Sequence, residues 1–372
     1  MKIKPFKLER FFAEHEFTAP FNMCASDCEP LTMAELLDMA DKASLKLWAN
    51  LGLGYTEPQG HRLLREEISR LYKNISPEQV LVTAPEEGIL VAMTTILERG
   101  DHVIVTYPAY QSLFEIARFL GREVSEWLPR EHKGWSFDIN DLVSLINPRT
   151  KLIIINFPHN PTGATITRSD LAKIAEIAGR KDIVLFSDEM YRFLEYDERD
   201  RLPAACDMSR TAVSLSGLSK SFALAGLRIG WLATQDGGLF KGFAGYKDYT
   251  TICSSAPSEL LAIMALRARD RILKRNLELV GANLERLDGF FAEHPDLFDW
   301  RRPKGGTVGF PRLQGETKSS QFCADVREKK GVLLLPAEAY GFEGNNFRVG
   351  FGRRNMPEAM EKLRAYVNQY MR

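Results

Sequence analysis

The sequence predicts an α/β protein: a mostly parallel central sheet sandwiched by helices, with a second, smaller α+β domain. Three observations predict it. Between about residues 80 and 234 short apolar runs alternate with helix-period stretches, the pattern of strands buried on both faces and joined by helical crossovers. At 372 residues the chain is longer than one ordinary core encloses, so a division into lobes is expected. Beyond residue 257 the pattern changes, with a long amphipathic stretch over 258–293 leading into brief strand candidates.

The elements follow in order. VLVT at 80–83 reads as a strand and leads into a helix over 86–97, ended by Arg99-Gly100-Asp101. A strand at 102–106 precedes a helix over 110–120, which Gly121 stops. KLIIIN at 151–156 is the strongest buried strand, because three consecutive isoleucines pack well on a pleated surface. A helix over 167–179 comes next, then strands at 182–187, 212–215 and 228–232. In the last third, strands at 307–313, 332–335 and 346–351 precede a closing helix over 357–371. We expect residues 48–257 to form the large domain, with the small one discontinuous and assembled from 1–47 and 258–372.

Composition narrows the function. Lys plus Arg and Asp plus Glu each number 49, so the formal charge is zero and nothing calls for nucleic acid or an anionic membrane. The N-terminus is basic without an apolar segment after it, and no apolar run reaches membrane-spanning length. The expectation is a soluble, cytoplasmic protein. Five cysteines, at 24, 28, 206, 253 and 323, form no paired framework and read as reduced thiols. Cys24 and Cys28 lie close together, but no second Cys/His pair accompanies them, so two core residues are expected and no metal site.

Chemistry concentrates around Lys220. It stands among small residues, and Arg228 follows eight positions on beside Gly230. An amine becomes a nucleophile toward carbonyls when its pKa is held down, which a fixed cation nearby can do. An arginine fork also suits a phosphate. The pair suggests a lysine that forms a Schiff base with a phosphorylated aldehyde. For a lone lysine the better reading is a solvent-facing side chain, but this lysine is not alone. Asn160 lies just past the strand ending at Asn156, Asp188 just past Ser187, and Lys220 just past Leu215. In an open parallel sheet, ligands gather at that rim.

Each residue has a use in pyridoxal phosphate chemistry. Asp188 can keep a pyridine nitrogen protonated. Tyr191 and Asn160 can hydrogen-bond the ring oxygen, and Tyr110 can stack on the ring. The helix opening near Glu86 and Glu87 offers backbone amides to a phosphate, with the Ser219 hydroxyl and Arg228 completing the cradle.

The runs 55–64 (YTEPQGHRLL), 156–163 (NFPHNPTG), 188–191 (DEMY), 219–230 and Phe347-Arg348-Val349 occur in this order over nearly the whole chain. In them the chain resembles the fold-type I pyridoxal phosphate-dependent enzymes of the class I/II aminotransferase family. The resemblance implies that Lys220 is the Schiff-base lysine and that Arg348 clamps the substrate α-carboxylate beside Asn160. It also implies that Tyr55 reaches the cofactor phosphate of a neighbouring subunit, making a homodimer with shared active sites.

Departures from the family pattern fall at the phosphate loop, where Thr83-Ala84-Pro85-Glu86-Glu87 is one residue short and Pro85 has no N–H to offer. Gly217 stands where Ser or Thr is usual, and Ala25-Ser26-Asp27-Cys28 where a glycine usually approaches the substrate. His159 is expected to pack its loop, Trp48 and Asn22 are even choices for the pocket wall, and Arg353 and Arg354 read as a solvated turn. Three functions are weighed: transamination between an amino acid and a 2-oxo acid, with Lys220 also moving the proton; a lyase or cyclase on a modified amino acid; and a non-catalytic sensor. No added DNA-binding segment supports the last.

Overall fold

Seven strands form one sheet in the computed structural model, which describes residues 2–371. In chain order they are β1 (Val80–Thr83), β2 (His102–Thr106), β3 (Glu123–Trp127), β4 (Thr150–Asn156), β5 (Val184–Asp188), β6 (Ala212–Gly217) and β7 (Gly230–Thr234). Their spatial order is β1-β7-β6-β5-β4-β2-β3, and β7 alone runs antiparallel to its neighbours. The run of isoleucines shows why the sheet needs helices on both faces. Leu152 and Ile154 pack with the helices Pro85–Ile96 and Ser112–Phe119, while Ile153 and Ile155 pack with the helix Arg168–Arg180. Strand side chains alternate between faces, and each of these is buried to 1% exposure or less, worth roughly 1.5–3 kcal/mol per residue.

Two elements differ from the sequence expectation. The edge strand β3 reads EVSEW and carries no continuous apolar run, because it pairs on one side only and keeps Glu123 exposed. The stretch 258–293 is two helices, Ala256–Arg267 and Arg269–Ala292, parted at Ala268 without a glycine or proline. The break separates two burial tasks. The first helix buries Leu260–Leu266 in the core that contains β1 and β7, and the second turns Val280, Leu284, Leu287 and Phe290 toward the C-terminal strands.

In that C-terminal region Phe347–Gly350 lies between Val308–Gly309 and Leu335–Pro336. The N-terminal pair Phe21–Asn22 runs parallel to Val332–Leu333, while the helices Met33–Met39 and Lys42–Ala49 pack on Ala256–Arg267. Gly350 and Gly352 are required here. A Cβ on either would stand 2.1 Å from Ala25 O or 2.2 Å from Asp27 O, so the backbone at 350–352 lies directly against segment 25–28. Among the described residues no helix is long and apolar enough to cross a membrane, and no His, Cys, Asp or Glu cluster could hold a metal. Cys24 and Cys28 are free, buried and in different core clusters.

Candidate active site

The ends of β4, β5 and β6 open onto one cavity of about 570 Å³. Asn160, Asp188, Tyr191, Ser219 and Lys220 line it from the sheet side, joined by Tyr110, Glu86 and Arg228. Arg348 closes it from the strand Phe347–Gly350. Two of the residues expected to hold the cofactor are not brought there. Glu87 turns its carboxylate to Thr83 Oγ1 at 2.7 Å and Thr251 Oγ1 at 2.7 Å, pinning its helix to the loop after Lys247. Tyr55 is 92% exposed and lies outside the cavity of its own chain.

Lys220 donates through Nζ to Ser26 Oγ at 2.8 Å. Its pKa is lowered, chiefly by burial, with Asp27 opposing and the Arg348 charge assisting. The sequence argument looked to Arg228 for a nearby cation; burial is the larger cause, and Arg348 is the arginine that adds to it. Asp188 accepts from Met190 N at 3.1 Å, and burial raises its carboxyl to about 6, against the pull of that N–H and of Lys220. It is therefore still largely ionised at neutral pH.

Asn160 is held on three sides. Its N–H donates to Asn156 Oδ1 at 2.8 Å, and its Oδ1 accepts from Tyr340 Oη at 2.8 Å and Arg348 Nη1 at 3.4 Å. Arg348 is 1% exposed and donates through Nε and Nη2 to Cys24 O at 3.0 and 2.7 Å, and through Nη1 to Tyr340 Oη at 2.5 Å. These bonds fix the plane of the guanidinium while leaving part of its five-donor fork for a ligand. Tyr191 gives its only proton to Ser26 O at 2.8 Å, so the Asn160 amide is the better placed donor to a ring oxygen.

At the opposite end the helix Pro85–Ile96 points its N-terminus at the cavity. Arg228 holds a left-handed φ of 56°, a conformation that costs a non-glycine residue about 1 kcal/mol. Ser219 Oγ is buried and has no partner. Glu86 accepts from Ser112 Oγ at 3.2 Å, and burial raises its carboxyl to about 7. Gly217 has a local cause: a Cβ there would stand 3.0 Å from Gly230 Cα and 3.1 Å from Ile229 O across the β6–β7 pair.

The remaining expectations are placed plainly. His159 is buried, bonded to Thr162 Oγ1 at 2.8 Å and held to about 3 by burial; it does not line the cavity. Neither do Trp48 and Asn22. Arg353 is no solvated turn residue, since it pairs with Asp27 at 2.7 Å. Sequence reasoning missed Glu9, Phe12 and Glu16, which line the cavity from the helix Lys7–His15 and its cap, and the Ser26 and Tyr340 contacts. The 9/12/16 spacing of one helical face was the available signal.

The donor set fits pyridoxal phosphate. The cavity holds one half-buried amine, one buried carboxylate at a strand end and a helix N-terminus. The unpartnered Ser219 hydroxyl and an arginine stand at the same end, and an amide is already oriented by its neighbours. A sheet rim so equipped defines a cofactor-dependent α/β enzyme.

Comparison with known proteins identifies the family. Residues 21–363 match the model for aminotransferase class I and II, and the chain belongs to that family. A PLP-dependent aminotransferase from Streptococcus suis superposes with a TM-score of 0.93 at 31% identity, covering 100% of this chain and 99% of that one. The PLP-dependent cyclase OrfR superposes at 0.88 and 28% identity, covering 99% and 98%. Capreomycidine synthase of Streptomyces vinaceus is 28% identical over 92% of this chain and 88% of its own length. Pyridoxal phosphate is the cofactor of this family, and the chain is a PLP-dependent aminotransferase.

Proposed function

We propose that the enzyme exchanges the amino group between an amino acid and a 2-oxo acid, with Lys220 as its covalent and proton-transferring residue. The observation that carries this assignment is the half-buried Lys220, its amine held at 2.8 Å on Ser26 Oγ in the cavity that Asp188 and Arg348 also line. Bound pyridoxal phosphate supplies a carbonyl that condenses with amines and a ring that accepts electrons from Cα. Burial lowers the Lys220 pKa, the direction that a nucleophile and a base need. Asp188 would hold a proton on the ring nitrogen, and the Asn160 amide would donate to the ring oxygen. Tyr110 would stack on the ring. Ser219, Arg228 and the first turn of Pro85–Ile96, with the Glu86 and Glu87 amides, would take the phosphate. Arg348 would clamp the α-carboxylate of the substrate.

Several companion readings belong with this one. The enzyme works as a homodimer in which the exposed Tyr55 reaches the phosphate of a neighbouring subunit. Its scattered free thiols support a cytoplasmic location, where cysteines stay reduced. Residues 48–257 act as the cofactor-binding domain, and 1–47 with 258–372 as the smaller one. A second reading, a lyase or cyclase on a modified amino acid, is favoured by the similarity to OrfR. One experiment tests both: absorbance of the cofactor-loaded wild type and Lys220→Ala on adding single amino acids, with product analysis. A visible band in the wild type that is bleached with release of a 2-oxo acid supports transamination. Release of ammonia, or a cyclised product, with the band restored supports the second reading. A band unaffected by Lys220→Ala overturns the assignment.

A further inference from the structure

The cavity has one wall that the transaminase reading leaves without a task. Its three cations have partners in that reading: Lys220 the cofactor carbonyl, Arg228 the phosphate, Arg348 the α-carboxylate. Its carboxylates outnumber them. Asp188 serves the ring nitrogen, Glu86 sits at the phosphate end with Ser112, and Asp27 pairs with Arg353 at 2.7 Å. Glu9 and Glu16 remain. Both line the cavity, both are half-buried, and among the described residues neither has an ion-pair partner. Glu9 accepts from Tyr110 Oη at 2.7 Å and Glu16 from Asn22 Nδ2 at 3.5 Å, both neutral donors.

Geometry relates this wall to the substrate. Glu9, Phe12 and Glu16 stand at i, i+3 and i+7 on the helix Lys7–His15 and its helical cap residue, hence on one face. The Phe12 ring centroid is 5.5 Å from the Arg348 guanidinium carbon. A ligand whose α-carboxylate is held by Arg348 therefore meets Phe12 next, with a carboxylate one helical turn to either side. An apolar ring flanked by two anions suits a methylene stem ending in a cation. Unpaired carboxylates drawn partly out of water are costly until a cation reaches them. The Glu16 carboxyl is pushed up by burial and by Asp27 and Glu9, with the charges of Arg353 and Lys220 pulling the other way from outside ion-pair distance. The buried, unpartnered Ser219 Oγ at the far end marks the same cavity as built for a ligand.

We infer that the amino acid substrate carries a positively charged side chain, a guanidinium or an ammonium, which Glu9 and Glu16 bind beyond the Phe12 ring. The inference rests on the transaminase reading and deepens it. It also excludes dicarboxylic substrates, whose second carboxylate would be driven against two like charges.

The test is a ligand titration of the cofactor-loaded enzyme, read as the change in its visible band. L-Arginine, L-ornithine and L-lysine are compared with their neutral counterparts L-citrulline and L-norleucine and with L-aspartate and L-glutamate. A cationic amino acid should half-saturate at a concentration about tenfold or more below its neutral counterpart, the worth of one partly buried charge pair. The acidic pair should be weakest. Glu9→Gln/Glu16→Gln, which keeps shape and hydrogen-bond acceptors, should erase the preference while the cofactor band persists. Equal or tighter response to aspartate or glutamate overturns the inference, as does a preference unchanged in the double variant. The wild-type panel stands even if that variant does not fold. Absence of any cofactor band would instead overturn the transaminase reading and this inference with it.

Discussion

The two walls of the cavity were built in different ways. The sheet wall presents Asn160, Asp188 and Lys220 within a few residues of three adjacent parallel strand ends, so local chain geometry puts them together. The opposite wall is assembled from the chain termini. Arg348 bonds Cys24 O across 324 residues, Tyr340 bonds Asn160 across 180, and Glu9 meets Tyr110 across 101. In the proposed reaction the first wall holds what every turnover on the cofactor needs, and the second what selects a substrate. On that reading chemistry is tied to the sheet, and specificity to a helix and a strand that can change without disturbing it.

The largest effects should follow from breaking the sheet wall. Lys220→Ala removes both nucleophile and base, and transamination should fall by ~10⁴-fold or more, measured as 2-oxo acid release in single turnovers. Arg348→Ala acts from the other wall and should raise KM by ~10²-fold, about 3 kcal/mol. Arg348→Lys should restore little of this, since a point charge cannot reproduce a planar fork already oriented by Cys24 O and Tyr340. If Arg348→Ala lowers kcat with KM unchanged, the division between the walls is wrong.

Asp188→Asn should separate function from stability. Burial raises the Asp188 carboxyl to about 6 from its ordinary 3.8, so the folded apoprotein holds this proton more tightly than the unfolded chain. The stabilisation is complete below pH 4 and is lost as pH rises through 6. Asn cannot ionise. Apo Asp188→Asn should therefore be more stable than wild-type apoprotein at pH 7.5, by ~1–3 kcal/mol, with the difference vanishing toward pH 4 in thermal melts. The same variant should lose ~10²-fold in kcat, because the ring nitrogen no longer keeps its proton.

This asymmetry also sets what could be read in the sequence. The alternation from β1 to β7 was legible because strands buried on both faces are continuously apolar, and Asn160, Asp188 and Lys220 followed from their strand ends. The edge strand β3 was not, because one-sided pairing leaves Glu123-Val124-Ser125-Glu126-Trp127 mixed in polarity. Arg348 was found by resemblance alone, since nothing around Phe347-Arg348-Val349 distinguishes a ligand from an ion-pair partner. Tyr340 carries no motif and takes its place through contacts with Asn160 and Arg348. Glu9 and Glu16 were hidden for another reason. A half-buried glutamate on an N-terminal helix looks like any amphipathic boundary until the fold lays that helix over a cavity.

The smallest expected effect concerns Glu86, an acid at the phosphate end of a wall otherwise devoted to holding anions. Burial raises its carboxyl to about 7, with Glu9 and Asp188 pushing the same way, and the Ser112 hydrogen bond and Arg228 opposing. Below that pH the neutral carboxyl can donate to a phosphate oxygen; above it an anion faces an anion. Cofactor affinity should therefore weaken by about tenfold between pH 6 and 8.5. The measurement is fluorescence titration of apo Lys220→Ala with pyridoxal phosphate, a background in which the lysine amine cannot contribute its own titration. Glu86→Gln in that background should bind about as tightly as the unsubstituted protein at pH 6 and about tenfold more tightly than it at pH 8.5. The ionisation of free phosphate is common to both proteins and cancels in their ratio. A ratio between the two proteins that does not change with pH would mean that the Glu86 carboxyl does not face the phosphate. The helix N-terminus, Ser219 and Arg228 would then hold it alone.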